Sequence, residues 1–146
     1  ATITRDVTRE NGGFTIDKSY SDSKGHSVDS SATVARTPNG WNRTGTYTTG
    51  NGGSGTFSSN TERTGNGFSR DKSLTTPNGK TVGKSVDVTR DGNTWTRDVT
   101  ITGPNGGTTT SNTTVNRTDS GADYSKQTTG PNGQTVTKSG SVTGTP

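Results

Sequence analysis

Hydrophobic side chains in this chain alternate with polar ones over short stretches, and no stretch shows the spacing of a helix. Phe14, Ile16 and Tyr20 share one parity, while polar residues such as Thr15 and Asp17 occupy the other. Successive side chains of a β-strand point to opposite faces, so this alternation predicts strands that each have one apolar face. Segments of about nine and about eleven residues with this pattern recur along the chain, separated by turn sequences.

The turn sequences repeat every 27 residues. Pro-Asn-Gly occurs four times, and two series recur at this spacing: Lys24, Asn51, Asn78, Asn105 and Asn132, and Gly12, Asn39, Asn66, Asn93 and Ser120. In such hairpin turns Pro presets φ, Asn suits the next position and Gly accepts the left-handed conformation, and loops of about four residues are expected after the longer strands. The chain is therefore predicted to be a single repeat domain with a lone first strand at 1–11 and units at 12–38, 39–65, 66–92, 93–119 and 120–146.

One strand plus two per unit gives about eleven strands, joined by short loops into an antiparallel hairpin meander. The alternative is a two-sided β-solenoid, in which equivalent strands of successive units stack in parallel. A solenoid would have to enclose one face of every strand, and the face that bears Arg is costly to bury. In a meander the numbers of paired residues have a constant sum within each hairpin, whereas in a solenoid they differ by 27, the repeat length.

Charge follows the same alternation as hydrophobicity. When each unit is numbered from its first residue, 25 of the 26 hydrophobic residues and all 16 Lys and Arg fall on odd places, with Ala35 the exception. Ten of the 12 acidic residues fall on even places, and the other two, Asp22 and Asp119, are expected at turns. One face of the sheet is therefore predicted to carry the apolar and cationic side chains, and the other Thr, Ser, Asn and Asp.

Pairing within the hairpins is expected to place arginines beside aromatic rings. The predicted partners are Arg9 with Phe14, Arg36 with Trp41, Arg63 with Phe68, Arg90 with Trp95 and, in the last unit, Arg117 with Ala122. An exposed Arg over an aromatic face contributes roughly 0.5–1 kcal/mol, so this stripe can help to hold a thin sheet together. The stripe is also a candidate surface for sugar rings or an acidic polymer, and for self-association.

Composition limits both the core and the chemistry. Only 18% of the residues are hydrophobic, and adding the 22 Gly raises the apolar share to about a third, still below the roughly 45–50% of a typical globular domain with Gly included. This scarcity excludes a thick core and by itself favours disorder, but the strict parity argues against disorder. With no Cys and a single His, His26, beside a turn, thiol, zinc and His-based acid–base chemistry are excluded. We expect no enzymatic activity, no catalytic residue and no cofactor.

The polar face allows several interpretations. Its repeated Thr residues are compatible with a solvated β-face, an O-glycosylated face or an ice-binding array. Candidate N-glycosylation sites are Asn42, Asn112 and Asn116. Asp6 is expected opposite Asp17, and Asp87 opposite Asp98, which would be unfavourable unless a cation such as Ca²⁺ were bound. Two carboxylates fall short of the roughly 6–8 oxygen ligands of Ca²⁺, so no metal site is predicted.

The expected partner is a second copy of the chain, with polysaccharide as the next candidate. The cations are spread along the whole chain rather than gathered in the compact patch typical of nucleic-acid binding, and no apolar run approaches the ~20 residues of a membrane helix. The first and last of eleven strands run in the same direction, so an open sheet leaves two free edges, each a template for another strand. We expect subunits to add edge to edge or to exchange a terminal strand.

Tandem strand–turn–strand units rich in Thr, Gly and Asn resemble secreted bacterial fibre and adhesin repeats, and their two-strand organisation is similar to that of curli-type subunits, without the Gln/Asn ladders of that family. The resemblance implies an extracellular structural role, and a chain that begins at Ala1 without Met fits a processed secreted protein or a fragment. We expect a non-enzymatic subunit of an extracellular filament or surface layer. The alternatives are an ice-binding protein that uses the Thr face, and an adhesin module that binds carbohydrate through the neighbouring arginines and Trp41, Trp95, Phe14 and Phe68.

Overall fold

The computed structural model describes residues 1–144, and in that range eleven antiparallel strands form one open sheet whose strand order follows the chain. The strands are β1 (Thr2–Glu10), β2 (Gly13–Ser21), β3 (Ser27–Thr37), β4 (Gly40–Thr49), β5 (Ser54–Thr64), β6 (Gly67–Thr75), β7 (Thr81–Asp91), β8 (Thr94–Thr102), β9 (Thr108–Thr118), β10 (Gly121–Thr129) and β11 (Thr135–Thr143). The predicted all-β hairpin meander is confirmed.

The register distinguishes the meander from the solenoid. In the β1–β2 hairpin Arg9 pairs with Phe14, so the numbers of paired residues add up to 23. In the β3–β4 hairpin Arg36 pairs with Trp41, and the sum is 77. The sum stays constant along each hairpin because a short turn returns the chain antiparallel to itself. The solenoid alternative is therefore wrong.

Successive units are offset along the strand direction. A straight line across the sheet runs from Arg9 through Phe14 to Val34, an advance of 25 residues over two strands, whereas the repeat advances by 27. Equivalent residues of neighbouring units are therefore displaced by two residues, about 7 Å along the strands. Because of this offset, the side chains that meet across the sheet are not repeat equivalents.

The Pro-Asn-Gly tripeptide occurs in two different turns. Gly79, Gly106 and Gly133 have φ between 77° and 81° and lie in the longer loops that follow the even-numbered strands β6, β8 and β10. The expectation of a left-handed glycine is wrong for Gly40, which pairs with Thr37 at the start of β4. The turn before Gly40 is shorter than the predicted four residues, because the ladder continues to Thr37 and Gly40 and leaves only residues 38 and 39 between the strands.

The hydrophobic core is thin and lies on one face. The buried apolar residues are Ile16, Ala32, Val34, Val86 and Val88, which are 3–9% exposed. On the same face aromatic rings lie over cross-strand glycines: Phe57 over Gly45, Tyr47 over Gly55 and Tyr124 over Gly140. Side chains of a single layer thus cover one another. Each strand makes its main contacts only with the strands next to it in sequence.

Candidate functional site

The two faces of the sheet carry opposite charges. In β6, Arg70 and Lys72 lie on the face with the apolar residues, which we call the cationic face, while Asp71 between them lies on the opposite, acidic face. The backbone thus separates cations from carboxylates. As a result, residues 1–144 contain no ion pair between a Lys or Arg and a carboxylate.

The register contains the predicted stripe of arginines and aromatic residues. The cross-strand partners are Arg9 and Phe14, Arg36 and Trp41, Arg63 and Phe68, Arg90 and Trp95, and Arg117 and Ala122. Two of the rings stay accessible, since Phe14 is 36% and Trp41 40% exposed. The offset between units places successive pairs diagonally across the cationic face rather than in one straight line.

Two guanidinium groups lie over aromatic rings, and they belong to residues that the sequence reasoning missed. Cζ of Arg43 is 5.1 Å from the centroid of the Phe57 ring, and Cζ of Arg70 is 5.9 Å from that of Phe68. Phe57 is paired with Gly45, whose missing side chain leaves space for the ring across β4. A Gly opposite an aromatic residue and two positions from an Arg is the sequence signal for this arrangement.

Four cations surround a shallow depression on the cationic face. Arg43, Ser59, Lys72 and Lys84 lie on one straight line across β4, β5, β6 and β7, and Arg70 lies two residues before Lys72 in β6. We call Arg43, Arg70, Lys72 and Lys84 the cationic cluster. The depression has a volume of about 480 Å³, and its lining also includes Trp41, Phe57, Leu74 and Val82.

The side chains of this cluster differ in how they are held. Nε of Arg70 donates a hydrogen bond of 3.0 Å to Oγ1 of Thr61, which is only 3% exposed. Nε of Arg43 is buried and finds no acceptor among residues 1–144. Lys72 lies directly opposite Lys84, an arrangement of like charges that destabilises a sheet. The cluster thus combines one guanidinium group held by a hydrogen bond, one that lies over an aromatic ring, and two exposed ammonium groups.

The acidic face brings the predicted aspartate pairs together. Asp6 pairs with Asp17 and Asp87 with Asp98, and the amide of Asn112 donates a hydrogen bond to Asp98. Within the described part of the chain, no group of three or more His, Cys, Asp or Glu is arranged to hold a metal ion. The candidate glycosylation sites all lie exposed in strands: Asn42, Asn112 and Asn116.

His26 and Asp22 bracket the loop between β2 and β3. His26 Nδ1 is 2.9 Å from Asp22 Oδ2, and the backbone N–H groups of His26 and Lys24 donate hydrogen bonds to Asp22 Oδ1. The hydrogen bond from the His26 side chain, together with these backbone N–H groups, lowers the pKa of Asp22 below its ordinary value of 3.8. The carboxylate therefore holds the loop in this conformation through its hydrogen bonds with Lys24 and His26.

The two edge strands carry the most exposed large apolar residues of the sheet. Ile3 and Val7 of β1 are 74% and 50% exposed, and Val136 and Val142 of β11 are 56% and 63% exposed. Every other large hydrophobic side chain of the described range is 43% exposed or less, including Tyr124. The edge residues lie on the same face as the buried ones, but they lack a neighbouring strand on one side.

Unbonded backbone groups accompany these exposed side chains. The N–H of Arg36 in β3 bonds to Gly12 O, on the side away from its hairpin partner β4. Arg9 is the repeat equivalent of Arg36, so its N–H, and that of Val7, point to the open edge of β1. In β11 the N–H of Gly144 bonds to Ser120 O, so the N–H of Ser139, of opposite parity, points outward.

Comparisons of the chain with protein-family models, with curated proteins and with solved structures found no match. Residues 1–144 include no helix with the length and apolarity needed to cross a membrane. The candidate functional features are therefore those of the sheet itself: two open edges, a cationic face with its cluster, and an acidic face.

Proposed function

We propose that this protein is a non-enzymatic structural subunit of an extracellular filament or surface layer, which assembles through its sheet edges or by exchange of a terminal strand. The observation that carries the proposal is the exposure of the edge strands, where Ile3 and Val142 are 74% and 63% exposed. An added strand would cover these side chains and bond the outward N–H and C=O groups.

Burial of the edge residues gives assembly a driving force. Fully burying a Val or Ile side chain contributes about 1.5–3 kcal/mol, and these edge residues are at least half exposed. The interior repeat equivalents of Val7 and Val142 show what a neighbouring strand achieves, since Val34 and Val88 are 9% and 8% exposed. An extracellular location rests on the resemblance of the Thr-, Gly- and Asn-rich strand–turn–strand units to secreted bacterial fibre and adhesin repeats.

Two modes of edge pairing keep the faces aligned. β1 of one copy can pair in parallel with β11 of the next, which continues the sheet indefinitely. Alternatively, a two-fold axis normal to the sheet pairs β1 with β1 and β11 with β11 in antiparallel fashion. Both modes use the outward N–H groups of residues such as Val7 and Ser139, so substitutions at these positions test each edge separately.

The test is electron microscopy and light scattering of the native full chain and of edge variants. Val7→Pro and Ser139→Pro each remove one outward N–H group without removing a hydrogen bond of the sheet, and Pro is tolerated on an edge with this orientation. We expect filaments for the native chain. For either variant we expect monomers if the edges pair β1 with β11, and dimers if each edge pairs with itself.

The matched controls are Val7→Thr and Ser139→Thr, which keep the amide and a residue of high β propensity, and both should assemble like the native chain. Far-UV circular dichroism verifies that all four variants retain the sheet. Native protein that remains monomeric at high concentration contradicts the proposed function. Filaments of unchanged length from both proline variants contradict assembly through the edges.

A further inference from the structure

We infer that the cationic cluster of Arg43, Arg70, Lys72 and Lys84 binds the carboxylate groups of an acidic polysaccharide. The inference goes beyond the proposed function, because the cluster lies in β4, β6 and β7, away from both edges. Its cations also differ from those of the predicted Arg–aromatic stripe, whose arginines lie in the strands next to the hairpin turns, although Trp41 belongs to the stripe and also lines the depression.

The arrangement of charge is the first observation. Lys72 and Lys84 are directly opposite each other, with Arg70 two residues away in β6, and carboxylates point to the other face. Opposed like charges reduce the stability of the sheet, so the cluster is not explained as a stabilising contact. A bound carboxylate would replace this repulsion by charge-assisted hydrogen bonds.

The state of the arginines is the second observation. Arg43 lies over Phe57, and its Nε is buried with no acceptor in the described part of the chain. A buried donor without a partner is costly, and an acceptor that enters the depression would satisfy it. Arg70 is held in place by its hydrogen bond to Thr61, so one guanidinium group is positioned before any ligand binds.

The shape of the site favours a polysaccharide over a second copy of the sheet. The depression holds about 480 Å³ and crosses four strands, so a single extended chain can lie along it. Eight of the ten acidic residues on the acidic face are Asp, with short side chains on a flat face, and sheets pack about 10 Å apart. Carboxylates of such a face approach the cluster only from above the surrounding side chains, whereas those of a single polysaccharide chain can enter the depression.

The aromatic residues favour a saccharide over single-stranded nucleic acid. Proteins that bind single-stranded nucleic acid stack the bases on exposed faces of aromatic side chains. Here Arg43 covers Phe57 and Arg70 lies over Phe68, which leaves Trp41, 40% exposed, as the accessible ring beside the cluster. One aromatic ring flanked by cations and by Ser59 suits a sugar ring that carries a carboxylate and hydroxyl groups.

The experiment measures binding of polygalacturonate, with dextran as a neutral control polymer and single-stranded DNA as a competing polyanion. The test variant is the full chain with Lys72→Gln and Lys84→Gln. The matched control is Lys126→Gln with Lys138→Gln, which neutralises the other directly opposed lysine pair on the same face, between β10 and β11. Both variants lose the same net charge, and neither alters an edge amide.

We expect the Lys72/Lys84 variant to bind polygalacturonate at least about tenfold more weakly, the control variant to change affinity less than about twofold, and dextran not to bind. Arg43→Gln should weaken binding to a similar extent. Equal losses in both lysine variants would reveal only diffuse attraction and overturn the inference. Tighter binding of DNA than of polygalacturonate, or equal binding of dextran, would overturn it as well. Assembly through the edges is measured separately, so its failure leaves this result interpretable.

Discussion

At the scale of single residues, glycine sets how closely neighbouring strands approach at the hairpin turns. A Cβ on Gly40 would lie 1.8 Å from the backbone oxygen of Thr61 in β5, whereas a Cβ on Gly83 would meet no atom closer than 3.9 Å. Both glycines lie within strands, so they share the same intrinsic β propensity. The difference between them isolates the steric role of Gly40.

We predict that Gly40→Ala lowers the free energy of unfolding by about 1–3 kcal/mol or more, because backbone atoms must shift to relieve the overlap. Gly83→Ala should be neutral or stabilising by up to about 1 kcal/mol, because Ala reduces the entropy of the unfolded chain. Urea titrations of the two variants measure the difference. Equal stabilities would show that β4 and β5 move apart to accommodate the Cβ added by Gly40→Ala without loss of stability, and would contradict the steric role of Gly40.

The loop between β2 and β3 should respond to acid through Asp22. Its pKa is lowered in the folded state by the hydrogen bonds from the His26 side chain and the backbone, so its contribution to stability is complete above the ordinary value of 3.8. The contribution is lost as the pH falls through the lower, folded value. Amide exchange of Lys24 and His26 should therefore accelerate in strong acid.

Asp22→Asn serves as the control for this loop, because it removes the carboxylate at every pH. Its amides at Lys24 and His26 should exchange faster than those of the native chain at pH 7, and the two proteins should converge below the pKa of Asp22. If exchange in the native loop accelerates in acid no more than it does in the variant, intrinsic acid catalysis explains the change. That outcome would contradict this role of Asp22.

At the scale of elements, the opposed lysines of β6 and β7 are expected to favour ligand binding while they destabilise the β6–β7 hairpin. Lys84→Glu would place a carboxylate opposite Lys72 and should stabilise the hairpin by about 0.2–1 kcal/mol. Ser85→Glu is the matched control, because it adds a carboxylate on the acidic face, opposite Asp71, and should destabilise by a similar amount. Thermal unfolding of both variants measures these opposite changes in stability.

Strand positions and hairpin register could be predicted from the sequence because they depend on local rules. Alternation and turn residues are enough to place Arg9 opposite Phe14. The cationic cluster could not be recognised in the same way, because Arg43 and Lys84 lie in strands separated by two others. Their alignment follows only when the registers of three successive hairpins are combined. Gly45 and Phe57 pair within the β4–β5 hairpin, but the register alone does not show that the ring crosses Gly45 and lies under Arg43.

At the scale of the whole molecule, stability is a sum over neighbouring strands. Each strand contacts mainly the strands beside it, and no second layer lies over either face in the described range. Such a quasi-one-dimensional arrangement behaves like a repeat protein, in which terminal units are stabilised from one side only. The same geometry that weakens β1 and β11 makes them acceptors for another copy.

Hydrogen exchange should therefore show that amide protection in the free chain decreases from the central strands to the edges, and that assembly removes this difference. In the monomer we expect the slowest exchange in the central strands, such as β5, β6 and β7, and the fastest in β1 and β11. The outward amides of Val7 and Ser139 have no acceptor in the free sheet, so they should exchange at nearly the rate of an unfolded peptide. In filaments the same amides should slow by roughly tenfold or more, because they gain a partner strand. Protection that stays low at both edges in filaments would contradict edge pairing and would place the contacts between subunits on the faces. Uniform protection across the monomeric sheet would instead show that the eleven strands unfold as one cooperative unit, contrary to the nearest-neighbour behaviour expected of a single layer.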